Sequence, residues 1–97
     1  MTITIKFVGS LKHASGTPQL QVDRYEDEEG LPLRKLIDSI NAKIPTIASS
    51  LLDGPFADAK PNALMLVNGR EISVLKGLDT NVKDGDEIVF IPVVHGG

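Results

Sequence analysis

The chain has 97 residues, 41% hydrophobic and 24% charged, with no cysteine and a formal net charge of −3. That length suits one domain and excludes two, and the missing cysteine excludes disulfides, thiolate metal sites and a cysteine nucleophile. Scattered basic residues in an acidic chain with three phenylalanines and one tyrosine speak against nucleic acid as a partner, since such a surface needs clustered cations and stacking aromatics.

In chain order, Ile3, Ile5 and Phe7 alternate with Thr2, Thr4 and Lys6, the period of a half-buried strand. With no apolar h-region, this start is read as a strand and not as a secretory signal. Gly9 and the cluster Ser15-Gly16-Thr17-Pro18 predict a loop carrying His13. Gln19 to Asp23 alternates again and should pair with the first strand as a hairpin. The run Glu26-Asp27-Glu28-Glu29 reads as a solvated turn ahead of a helix, where negative charge suits the helix dipole. A partner with a basic surface is the other reading of that run.

From Leu33 the period changes. Leu33, Leu36, Ile37, Ile40 and Ile44 fall on one helical face, with Arg34, Lys35, Asp38 and Lys43 elsewhere. Pro32 suits the first helical turn and Pro45 stops the helix, although Leu31 is a poor cap. Ile47 to Leu52 can add a short helical turn, and Asp53 to Asn62 reads as loop. Ala63 to Val67 is an apolar run ending in Asn68-Gly69, a strong hairpin signal, with Ile72 and Val74 on or near a short return strand. Asp84-Gly85-Asp86 is a second turn. Glu87 to Ile91 is apolar enough to be a central strand buried on both faces, and Pro92, lacking a ladder donor, marks where pairing ends. The stretch Ile88 to Val94 is too short to span a bilayer; no membrane partner and a cytoplasmic location are expected. One amphipathic helix across one mixed sheet, an α+β fold, buries both apolar faces.

No active site is legible. His13 and His95 lack ligand-spaced partners, no glycine-rich phosphate loop occurs, and Asp84 and Asp86 flank a turn glycine, where carboxylates routinely cap. The chain is read as a non-enzyme with no bound metal or cofactor.

What remains is the tail, Val94-His95-Gly96-Gly97. At an average glycine usage of about 7%, two terminal glycines arise by chance in roughly one chain in two hundred. Glycine has a chemical reason there. A carboxylate that is to be activated must thread a narrow cleft toward a nucleotide phosphate, and residues without a Cβ let the backbone do so.

The segments Leu66-Val67-Asn68-Gly69-Arg70, Gly77-Leu78-Asp79-Thr80, Asp84-Gly85-Asp86-Glu87-Ile88 and Phe90 to Gly97 together resemble the ubiquitin-like sulfur carriers of the MoaD/ThiS type. That group includes the molybdopterin synthase small subunit, the small archaeal modifier proteins and the ubiquitin-related modifier. The resemblance covers essentially the whole chain, and the Gly-Asp-Glu, strand, Pro, Gly-Gly ending is its specific part. It implies a ubiquitin-like β-grasp of four to five strands against one main helix over residues 1–92, with first and last strands parallel and adjacent, and a flexible tail over 93–97. It further implies that Gly97, preceded by Gly96, is adenylated by an ATP-dependent ubiquitin-activating-type enzyme. The adenylate then becomes a thiocarboxylate, with sulfur from a donor enzyme, for molybdopterin synthesis with the synthase large subunit or for a tRNA thiolase. Joining Gly97 to lysines of target proteins, or a purely non-covalent binding module, are the alternatives. Two features depart from the pattern. His95-Gly96-Gly97 is closer to the ubiquitin-related modifier, whereas Pro92-Val93 stands where the molybdopterin subunit often has two prolines. The helix also lacks the usual Thr-type cap.

Docking needs a surface as well. If Ile3, Ile5 and Phe7 face the helix, Val8 faces outward; if Ile88 and Phe90 face in, Ile91 is out. Ile72 is expected to complete an apolar patch on the far side of the sheet, joined for partner binding by Pro92, Val94 and His95. Scattered surface hydrophobes are the other reading.

Overall fold

A computed structural model describes residues 1–24, 29–54 and 58–93. Strand β1 (Thr2–Phe7) buries Ile3, Ile5 and Phe7, as a period of two requires. The predicted loop after it contains a short helix, α1 (Leu11–Ser15), so His13 lies exposed on a helix and not in a loop. Two of the residues read as loop punctuation, Gly9 and Gly16, bracket this helix; the Gly16 N–H donates to the Lys12 carbonyl at 2.9 Å, and Leu11 is buried. Strand β2 (Gln19–Asp23) returns antiparallel to β1, pairing Thr2 with Asp23 and Lys6 with Gln19. Of the acidic run, only Glu29 lies within the described residues, and it is exposed.

The two-residue strand β3 (Leu31–Pro32) leads into α2 (Leu33–Lys43). Pro32 occupies the cap position and not the first turn, and no side chain caps the helix. The cap comes from elsewhere: the Leu33 N–H donates to the Thr80 carbonyl at 2.9 Å, satisfying one of the orphan donors of a helix start. Leu33, Leu36, Ile37 and Ile40 are wholly buried. A 3-10 turn (Pro45–Ile47) and α3 (Ala48–Leu51) follow. The expected loop beyond them is tied by a small ladder of β4 (Leu52–Asp53) with β5 (Lys60–Pro61).

Strand β6 (Ala63–Val67) and β7 (Arg70–Glu71) form the predicted hairpin. Asn68 at φ +51 and Gly69 at φ +81 both take the left-handed region, which a two-residue turn of this type demands. Ile72 and Val74 sit just past the return strand in a 3-10 turn (Ile72–Val74), whose start is held by the Glu71 carboxylate accepting from the Ser73 N–H at 2.6 Å. Strand β8 (Asn81–Val82) pairs with β3, and β9 (Glu87–Pro92) closes the chain's described part.

The main sheet has five strands in the order β2-β1-β9-β6-β7. Strand β9 is parallel to β1, pairing Ile5 with Ile88 and Phe7 with Phe90, and antiparallel to β6, pairing Met65 with Phe90. It is central, as expected, but not buried on both faces. Ile88 and Phe90 have no exposed surface, whereas Val89 and Ile91 are half-buried on the opposite side. The helices therefore cover one face of the sheet and leave the other open. A mixed sheet curling over one main helix, with first and last strands parallel at its centre, is the ubiquitin-like β-grasp that the resemblance implies.

Candidate functional site

The site is built at the end of β9 and on the open face beside it. Alternation puts Val89 and Ile91 on the side of β9 away from α2, opposite to Ile88 and Phe90. Register then brings neighbours to them. Leu64 lies across from Ile91, and Leu66 across from Val89, on β6; Lys6 lies across from Val89 on β1. Val8, just beyond β1, is 39% exposed and Leu64 37%. The result is an apolar strip of Val8, Ile91, Leu64, Val89 and Leu66 running across three adjacent strands. At one margin Lys6 Nζ approaches Glu87 Oε2 at 3.1 Å, both side chains well exposed, so the strip has a charged border.

Of the residues expected there, Val8 and Ile91 lie on this face. Ile72 does not: it is 3% exposed and part of the core. The 3-10 turn after Glu71 breaks the strand period and swings Ile72 inward, so extrapolating a return strand put it on the wrong side. Leu64, Leu66 and Val89 were missed. Their signal was present, because the turn at Asn68-Gly69 puts Leu66 and Leu64 on the face opposite to Val67 and Met65.

Pro92 is half-buried, with Ala63 as its register partner, and Val93 is 47% exposed. Beside them an open groove of ≈ 190 Å³ is lined by Ser10, Leu11, Ser50, Asn62, Pro92 and Val93. Val94, His95, Gly96 and Gly97 lie outside the described residues.

The turn carboxylates have structural work. Asp84 Oδ1 accepts from the Thr2 N–H at 2.7 Å. Asp86 accepts from Asn68 Nδ2 at 2.9 Å and from the Lys83 N–H at 2.7 Å. Among the described residues no group of three or more His, Asp or Glu side chains is placed to hold a metal ion, and no helix is long and apolar enough to cross a membrane.

The ThiS family model matches residues 5–97. The chain is 27% identical over 97 residues to a ubiquitin-related modifier 1 homolog of Dictyostelium discoideum, covering all of both chains. It is 25% identical over the same span, again the whole of both, to small archaeal modifier protein 3 of Haloferax volcanii. Among solved structures, small archaeal modifier protein 1 of Methanosarcina acetivorans superposes with a TM-score of 0.80 at 29% identity, covering 99% of this chain and 96% of that one.

Proposed function

This chain belongs to the ThiS family of ubiquitin-like sulfur carriers and modifiers, and on that premise we propose that Gly97 is the acyl group it carries. The observation that supports this most is the family match itself, which runs through Gly97. The C-terminal carboxylate attacks the α-phosphorus of ATP in the cleft of an adenylating partner, releasing pyrophosphate and leaving an acyl-adenylate. A sulfur nucleophile delivered at the sulfide level by a donor enzyme then forms the C–S bond as the C–O bond to AMP breaks. The product is a thiocarboxylate, which hands its sulfur to an acceptor such as a molybdopterin precursor or a tRNA base. ATP is the partner's substrate, and the chain contributes no cofactor; use of ATP suits a cytoplasmic setting.

In this reading the chain's own work is presentation. The strip of Val8, Leu64 and Ile91 docks on the partner through burial of apolar surface, and residues 93–97 reach into the cleft. Gly96 and Gly97 let the backbone pass where a Cβ would collide, while Val94 and His95 lie at the mouth. The names of the relatives, both modifiers, favour a second use of the same activated carbonyl: transfer to a lysine amine of a target protein, forming an isopeptide bond with loss of AMP.

Intact-protein mass spectrometry of the chain from its native cells tests the proposal. A species shifted by one oxygen-to-sulfur exchange, lost on deletion of Gly97, is the expected result. Free carboxylate alone, together with no adenylate on incubation with ATP and an activating enzyme, would overturn it. Conjugates of higher mass on a denaturing blot, also dependent on Gly97, would establish the modifier role.

A further inference from the structure

Strand β9 is held by β6 on one side and β1 on the other, and the two ladders stop at different points. On the β6 side pairing continues to Ala63 and Pro92. On the β1 side the register ends at Phe7 and Phe90, with one more bond from the Val8 N–H to the Phe90 carbonyl at 3.0 Å. The next bond of a parallel ladder would run from the amide of residue 92 to the Val8 carbonyl. Pro92 has no N–H to give, and the Val8 carbonyl instead accepts from the Leu11 N–H at 3.2 Å. Here the two strands part, one into α1 and the other toward Val93.

Gly9 stands at the fork. Its φ of +59 turns the chain into α1, and a Cβ placed on it would lie 3.2 Å from Pro92 Cγ and 3.7 Å from Cδ. The proline ring thus rests against the bare Cα of Gly9, while Ala63, also small and buried, pairs with it from the other strand. A ring with fixed φ cannot swing aside as a flexible side chain can. Added bulk at residue 9 is therefore relieved by moving residue 92, and with it the direction in which Val93 leaves the sheet.

We propose that Gly9 is a positioning residue for the C-terminal chemistry: its contact with the Pro92 ring aims the chain's exit relative to the face of Val8, Leu64 and Ile91. This rests on the reading of Gly97 as acyl donor. Docking and reach are separate tasks, because the face decides whether a partner binds and the exit direction decides where the carboxylate arrives. Gly97 is five residues beyond Pro92. A misplacement of about 1 Å at the reacting carboxylate is enough to cost about a hundredfold in rate.

The test uses the full chain as Gly9→Ala, Pro92→Ala and the double variant. With an activating enzyme, ATP–pyrophosphate exchange by Gly9→Ala should lose about 10- to 100-fold in kcat while KM for the carrier stays put. In the Pro92→Ala background, the same change at Gly9 should leave kcat where Pro92→Ala alone puts it. Thermal stability should fall in both backgrounds, because the cost of a side chain at positive φ does not depend on the ring, and should fall further where the Pro92 ring is present to be pushed. An equal kcat loss in both backgrounds, or none in either, would overturn the proposal. Residual dipolar couplings supply a readout free of the chemistry. The Val93 N–H vector should reorient in Gly9→Ala while Glu87 to Phe90 keep theirs, and an unmoved vector sinks the proposal. If the wild-type chain supports no exchange at all, the acyl-donor reading falls and the couplings still decide the positioning role.

Discussion

Phe7 and Phe90 are register partners in the parallel pair of β1 and β9, and their rings stack with centroids 5.9 Å apart at an interplanar angle of 25°. Both are buried against the helices, so one contact joins the first strand, the last strand and the core. Phe90→Ala removes the ring and leaves a cavity. The expected loss is about 3–5 kcal/mol, read from the urea midpoint, with Phe90→Leu losing clearly less. A loss below about 1 kcal/mol would show that the stack does not anchor the sheet.

The start of α2 depends on a segment far along the chain. Thr80 is buried; its hydroxyl donates to the Gly77 carbonyl at 2.6 Å and accepts from the Lys76 N–H at 3.1 Å, holding the carbonyl that caps Leu33. Thr80→Val keeps the shape and strands the Lys76 N–H, while the Gly77 carbonyl keeps the Thr80 N–H at 3.1 Å, for a loss of about 1–3 kcal/mol. Amide exchange at Leu33 should quicken more than at Phe90. Equal acceleration at both would mean global destabilisation and no specific capping role.

Asn68 serves its turn twice. Its backbone takes φ +51, and its side chain donates to Asp86 Oδ1 at 2.9 Å and accepts from the Glu87 N–H at 2.9 Å. Asn68→Gly keeps the backbone and forfeits the side-chain bonds, costing about 1 kcal/mol. Asn68→Ala also strains the backbone and should cost about 2–3 kcal/mol. Stability should therefore rank Asn above Gly above Ala in chemical denaturation.

The open face and the core should separate cleanly. Leu64→Glu and Ile91→Arg change exposed or half-buried positions, and for Leu64→Glu the unfolding free energy should change by no more than about 0.5 kcal/mol. Either change should raise KM for the activating enzyme at least about tenfold, as loss of a central apolar contact does. Ile72→Ala does the reverse: it should lose about 2–5 kcal/mol of stability and keep KM at a temperature where it stays folded. A KM effect from Ile72→Ala in the folded protein would argue that the docking surface wraps around to the 3-10 turn.

The apolar alternation of β1, the central place of β9, the helical spacing of Leu33 to Ile40 and the turn at Asn68-Gly69 were legible in the sequence by itself, because each follows from a composition, a period or a dihedral need confined to a few neighbouring residues. The same holds for the diglycine ending, whose interest is chemical and local. Tertiary structure decided the rest. It supplied the Leu33 cap from Thr80, made a helix of the stretch around His13 by burying Leu11, and turned Ile72 into the core when the Glu71 carboxylate drew the chain into a 3-10 turn. It also set Leu64 beside Ile91 and left Val89 uncovered. Alternation says which residues share a side of one strand, whereas register and the number of covering layers say what lies next to that side, and those are settled only when distant segments meet.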